Sequence, residues 1–123
     1  MPAILIIDDD KDFSGLAAAY FSKQGYAVEQ AEGGREGLDK AASAGPDIIL
    51  LDIMMPDMNG VEVLRELSSD PDTSGVPVIV LTGKYIDPGM GDMFGQERNF
   101  RGIMAKPVDL GMLQRKIEDL LAK

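Results

Sequence analysis

Four short apolar runs punctuate this chain: Ala3 to Ile7, Ile48 to Leu51, Val76 to Leu81 and Gly102 to Ala105. They are continuous rather than alternating, the pattern of strands buried on both faces of a parallel sheet. Between them, apolar residues recur at helical spacing. Asp10 is placed to cap a first helix carrying Phe13, Leu16, Ala17, Tyr20 and Phe21, and Gly25 to end it. Tyr26 to Ala31 reads as a more exposed second strand. Leu38, Ala41 and Ala42 mark one face of a second helix, closed by Gly45 and Pro46. Val61, Leu64 and Leu67 point inward from a third. A last helix starts at Asp109 and buries Leu110, Leu113, Ile117, Leu120 and Leu121. Strict β–α alternation predicts an α/β fold, a doubly wound five-stranded parallel sheet with right-handed crossovers.

The segment between strands four and five departs from this order. Lys84 to Arg101 holds Pro88, Gly89, Gly91 and Gly95. An interior glycine costs a helix about 1 kcal/mol and a proline about 3. The fourth helix is therefore expected to be short or irregular, around Met90 to Gln96 at most. A long surface loop and a functional lid both suit the rest of the segment.

The residues that end the runs carry the chemistry. Asp8 and Asp9 follow strand one, Asp52 strand three, Thr82 strand four, and Lys106 with Pro107 strand five. Parallel strands share one carboxyl edge, where open α/β sheets hold their ligands. Two carboxylates about 4 Å apart repel by roughly 4 kcal/mol at an effective dielectric near 20, so such a cluster takes up a proton or a cation. Taken alone, the acidic triplet from Asp8 to Asp10 also suits a solvated helix N-terminus; Asp52 at the end of another strand favours a site. With no histidine and no cysteine, the ligands are oxygens, which suits Mg²⁺, with Mn²⁺ able to substitute, over zinc or copper. Asp52 is the candidate nucleophile toward phosphorus. Lys106 supplies a point charge for phosphoryl oxygens, and Thr82 a hydroxyl donor. A cis Lys106–Pro107 peptide would aim the ammonium.

A chain of 123 residues fits one domain. The net charge of −9 argues against nucleic acid or an anionic membrane as a direct partner. No apolar stretch approaches the roughly 20 residues that span a bilayer, and the start lacks the regions of a signal peptide. A cytoplasmic protein is expected, with residues 1–123 as one domain and no effector domain.

Ile6-Ile7-Asp8-Asp9-Asp10, the run from Pro46 through Asp52 and Pro56 to Gly60, then Thr82 and Lys106-Pro107 resemble a response-regulator receiver domain of two-component signalling. The match covers essentially the whole chain, in order and with family spacing. The resemblance implies a flavodoxin-like strand order of 2-1-3-4-5 and Asp52 as phosphoacceptor. It implies Mg²⁺ held in the acidic pocket of Asp8 and Asp9 by Asp9, Asp52 and the backbone carbonyl of Met54. Thr82 becomes the switch hydroxyl and Lys106 the phosphate-binding lysine. The donor it implies is a phosphohistidine on a sensor histidine kinase or histidine phosphotransfer protein. The output partner is unspecified, and phosphorylation would alter the surface around residues 82–106 and the last helix. Two departures stand out. Ile103 occupies a position three before Lys106 that is usually aromatic. Thr82-Gly83-Lys84-Tyr85 and Phe100-Arg101-Gly102 are similar to a receiver subclass whose fourth helix is a flexible loop; phosphorylation would then order residues 84–101.

Two other readings compete. A haloacid-dehalogenase-like phosphatase would use Asp8 as nucleophile and Asp10 as acid/base. It needs a further strand ending in acids after Lys106, where only 17 residues remain. A receiver-like interaction module would keep the fold without being phosphorylated. An EF-hand through Asp8, Asp10 and Asp12 fails, because Phe13 and Ala19 stand where glycine and glutamate are needed. Neither a P-loop nor a Gly-x-Gly-x-x-Gly motif supports nucleotide binding.

Overall fold

The computed structural model describes residues 2–83, 89 and 94–122. Along the chain run β1 (Ala3–Ile7), α1 (Lys11–Lys23), β2 (Ala27–Ala31), α2 (Gly34–Ala44), β3 (Ile48–Asp52), α3 (Gly60–Ser69), β4 (Val78–Thr82), β5 (Phe100–Ala105) and α4 (Leu110–Leu121). All four strand pairings are parallel, and the sheet order is β2-β1-β3-β4-β5, as the sequence implies. Between β4 and β5, Gly89 and Phe94 are helical and Gly95 and Gln96 form a turn, in keeping with a helix there that is short. Residues 84–88 and 90–93, on which the expected lid and its ordering chiefly fall, lie outside the described residues.

Alternate residues of each central strand enter opposite layers. Leu5, Ile7, Ile49, Leu51, Val78 and Val80 pack with Ala41, Val63, Leu64, Leu67 and Phe94 on the face covered by α2 and α3. Ile4, Ile6, Ile48, Leu50, Ile79 and Leu81 pack with Ala17, Phe21, Leu113 and Ile117 on the face covered by α1 and α4. Each fully buried aliphatic side chain contributes about 1.5–3 kcal/mol, so β1, β3 and β4 form the rigid centre. β2 lies at an edge and is mostly exposed, as its composition predicts.

The caps follow the sequence. Asp10 accepts from Asp12 N and Phe13 N, and Asp109 from Met112 N. Gly25 lies just past α1 at φ 97°, and Gly45 caps α2 at φ 60°. The Lys106–Pro107 peptide is cis.

Several side chains differ from expectation. Leu16 is exposed, because Ser14 lies nearer the centre of the inward stripe of α1, with Ala17 and Phe21. The Ser14 hydroxyl is satisfied by donating to Gln30 Oε1 at 3.0 Å. On α2, Ala42 faces solvent, and the buried face is Gly34, Gly37 and Ala41. On α3, Val63 takes the inward place expected of Val61, which is half-buried. Leu110, Leu120 and Leu121 are also only half-buried, at the ends of α4. Strand β2 starts at Ala27 and β4 at Val78, each later than the sequence pattern suggests, whereas β5 begins earlier, at Phe100.

Glycines let α2 lie close to the sheet. A Cβ at Gly37 would sit 2.6 Å from Ile7 Cδ1 and 2.7 Å from Ile7 Cγ2, and Ile7 is fully buried. Gly37→Ala is therefore expected to cost about 1–3 kcal/mol by overpacking, lowering the thermal midpoint by roughly 4–12 °C. An unchanged midpoint in a thermal melt would show that Ile7 moves freely.

Candidate functional site

The carboxyl ends of β1, β3, β4 and β5 meet on one rim. Asp8 extends β1, its N–H donating to Ala31 O at 3.0 Å. Its carboxylate is buried: Oδ1 accepts from Asp10 N at 2.8 Å and Oδ2 from Lys106 Nζ at 2.7 Å. Asp9, the next residue, is exposed. Asp52 ends β3 and is 5% exposed. Its Oδ1 lies 3.9 Å from Lys106 Nζ and accepts from Met54 N at 3.4 Å. Thr82 ends β4 and is fully buried; its carbonyl accepts from Lys106 N at 2.7 Å, which joins the two strand ends. Ile103 is half-buried and pairs with Val80.

Carboxylate oxygens of Asp8, Asp9 and Asp52 lie within 4.8 Å of one another. Three negative charges thus face one ammonium. Burial pushes the Asp52 carboxyl up to about 7, and the charge of Asp8 adds to it; Lys106 and the Met54 N–H oppose the rise. The cluster is therefore short of positive charge. All-oxygen donors so spaced, with one exposed carboxylate open to solvent, fit a hard divalent cation.

Asp8, Asp9, Asp52, Thr82 and Lys106 thus come to one rim, and Met54 lies beside it with its side chain half exposed. Sequence reasoning gave Phe13 only a packing role. Its ring lies 4.8 Å from Lys106 Nζ, so the ammonium is held between a carboxylate and an aromatic face. The signal available was its position, five residues after Asp8 on the first turn of α1. The phosphatase reading gains no support: among the described residues, α4 follows Lys106 with no further strand, and Asp8 is engaged by Lys106 and Asp10 N.

A doubly wound sheet with this acidic carboxyl rim defines a receiver-type α/β signalling module. The sequence model of the response regulator receiver domain matches residues 4–118, and the chain belongs to that family. Protein PilH of Pseudomonas aeruginosa is 37% identical over 122 residues, spanning 99% of both chains. The transcriptional regulator RpaA of a Synechocystis strain is 35% identical, and this chain spans about half of that protein's length, 50%. Among solved structures, the chemotaxis protein CheY4 of Vibrio cholerae superimposes with a TM-score of 0.89 at 28% identity, over 98% of each chain. A CheY-like receiver domain from Methanospirillum hungatei gives 0.88 at 30% identity, over 99% of this chain and 94% of that one. The chain is a receiver domain of a response regulator. Such domains take phosphoryl groups from histidine kinases or phosphotransfer proteins. Among the described residues, no helix is long and apolar enough to cross a membrane.

The raised Asp52 has a consequence for the metal-free protein. A carboxyl with a higher pKa folded than unfolded contributes stability at pH below its unfolded value near 4, and that contribution is lost as pH rises through about 7. Asp52→Asn, which carries no charge to bury, should therefore exceed wild type by about 1–3 kcal/mol at pH 8. The margin should shrink by pH 5. Urea unfolding at both pH values checks it; an equal margin at the two would refute the elevated pKa.

Proposed function

We propose that Asp52 is the phosphoacceptor of this receiver domain and takes its phosphoryl group from a phosphohistidine of a partner kinase or phosphotransfer protein. The observation that carries this reading is the place of Asp52: a buried carboxyl at the end of β3, 3.9 Å from the Lys106 ammonium and grouped with Asp8 and Asp9. The chain has no histidine, so the donor imidazole lies outside this sequence.

In the transfer, an Asp52 carboxylate oxygen forms a bond to phosphorus as the phosphorus–nitrogen bond of the donor breaks. The leaving imidazole nitrogen keeps the electron pair and takes a proton from solvent. Asp9, Asp52 and the Met54 carbonyl would hold Mg²⁺, with Asp8 beside them. When bound, the ion supplies neutralising charge to the phosphoryl oxygens. Asp8 holds Lys106 in reserve, close enough that a change of side-chain rotamer brings the ammonium to phosphoryl oxygens on Asp52. The Thr82 hydroxyl is the donor assigned to one of those oxygens. Movement of Thr82 and Lys106 would link phosphorylation to the surface from residue 82 to 106 and to α4. Hydrolysis returns the carboxylate: water attacks phosphorus and the acyl phosphate bond breaks. The reading places the domain in the cytoplasm, as a single relay unit over residues 1–123.

Acyl-phosphate labelling by a phosphohistidine donor with Mg²⁺ tests the assignment. Asp52→Asn should abolish labelling, chelation of Mg²⁺ should suppress it, and Lys106→Ala should slow it by about tenfold or more. Label that survives in Asp52→Asn but is lost in Asp8→Asn would instead favour phosphatase chemistry.

Met54, two residues past the acceptor and half exposed, has no side-chain group that can orient a hydrolytic water. Loss of label from the phosphorylated wild type should be slow to moderate, and Met54→Asn should accelerate it several-fold. Identical decay in the two proteins would remove that role from Met54.

A further inference from the structure

The loop from residue 53 to 59, between β3 and α3, leaves the acid cluster and reaches the start of α2. Helices α1, α3 and α4 begin with capping side chains of their own, Asp10, Asn59 and Asp109. Helix α2 does not: Gly33 is its N-cap residue and supplies no side-chain hydrogen bond. The cap comes from the loop instead. Asp57 Oδ1 accepts from Gly34 N at 3.1 Å, and Asp57 Oδ2 from Arg35 N at 3.3 Å. These N–H groups hold the Asp57 carboxyl below its usual range, the Gly34 bond first.

The seat is close-fitting. A Cβ at Gly33 would lie 2.8 Å from Asp57 Oδ2, and one at Gly34 would lie 2.8 Å from Met58 Cβ. The loop is also pinned where it enters α3, because Gly60 N donates to Ile53 O at 2.8 Å. A Cβ at Gly60 would come within 2.5 Å of Ile53 Cα, so only glycine permits that approach. Met54 lies between these two fastenings.

We propose that Asp57 is a positioning residue: by capping α2 from the loop, it fixes the backbone of residues 53–59 and so presets the Met54 carbonyl for a divalent cation. The second half rests on the metal-site reading above. An ion that meets a loop already ordered loses none of its binding energy to ordering it. An aspartate that served only as a helix cap would contribute to the stability of α2 and leave metal affinity unchanged.

Three variants separate the two roles: Asp57→Ala, Asp57→Asn and the pair Asp57→Ala with Gly33→Ser. Gly33 has extended backbone, φ −157° and ψ 174°, which any residue adopts. Removing the Asp57 carboxylate makes room for a serine there, which caps α2 by itself. Each protein is titrated with MgCl₂ by calorimetry and melted thermally, and its amide exchange over residues 53–60 is followed without metal. Asp57→Ala should lower the melting midpoint, weaken Mg²⁺ binding about tenfold and speed exchange in the loop. Asp57→Asn keeps one accepting oxygen and so the Gly34 bond but not the Arg35 one, and should fall between wild type and Asp57→Ala in all three. The double variant should recover the midpoint but neither the Mg²⁺ affinity nor the exchange protection.

Mg²⁺ binding to Asp57→Ala as tight as to wild type overturns the proposal, as does recovery of affinity in the double variant. A wild-type protein that itself fails to bind Mg²⁺ overturns the metal-site reading and the preset ion site with it. The metal-free exchange comparison then still decides whether Asp57 fixes the loop.

Discussion

The contact on which the functional rim depends is the ion pair between Lys106 Nζ and Asp8 Oδ2, 2.7 Å long and joining residues 98 apart in sequence. A buried carboxylate without a partner costs far more than one hydrogen bond. Asp8 therefore requires the ammonium, and the ammonium draws the end of β5 to the end of β1. The sheet order makes this possible: β1 and β3 are neighbours, and β4 alone separates β3 from β5. The Lys106 N–H to Thr82 carbonyl bond, at 2.7 Å, sets the starting point of the lysine side chain. The Phe13 ring covers it from α1.

One lysine cannot neutralise two buried carboxylates and a third at the surface. Asp8 holds the ammonium at 2.7 Å, whereas Asp52 has it at 3.9 Å. Asp52 is thus the under-compensated member, and its carboxyl is raised toward neutrality by burial and by Asp8. This imbalance connects stability to chemistry. In the proposed function, the charge that burdens the metal-free fold is the charge that would hold a cation, and the same carboxylate would be the nucleophile toward phosphorus. A rim neutralised within the chain would be more stable and less reactive.

Around this rim the scaffold is held by close approaches that leave no room for side chains. Gly37 lets α2 meet Ile7, Gly34 lets its first turn meet Met58 and Val63, and Gly60 lets α3 start against the backbone of Ile53. The last two of these contacts tie the loop that follows Asp52 to the layer under α2 and α3, and the first seats α2 on β1. The other face, under α1 and α4, supplies bulk: Phe21 lies edge-on to both Tyr20 and Tyr26 with ring centroids 5.1 and 5.7 Å away.

The sequence by itself determined the class of fold and most of the rim. Continuous apolar runs at Ile4–Ile7, Ile48–Leu51 and Val78–Leu81, alternating with helical periodicity, read as central parallel strands, and residues at the ends of parallel strands share an edge. Capping aspartates at 10 and 109 and glycines at 25 and 45 bounded the helices, because those effects act within one turn of chain. Tertiary structure decided what depends on distant partners. Helical spacing cannot rank Leu16 against Ser14, since each is near the stripe and only the position of the sheet and Gln30 selects the serine. Nor could it find the cap of α2, which arrives from a loop more than 20 residues away, or the ring of Phe13 over Lys106. Local periodicity encodes which way a side chain faces on its own element; whom it meets there is set only when the layers close.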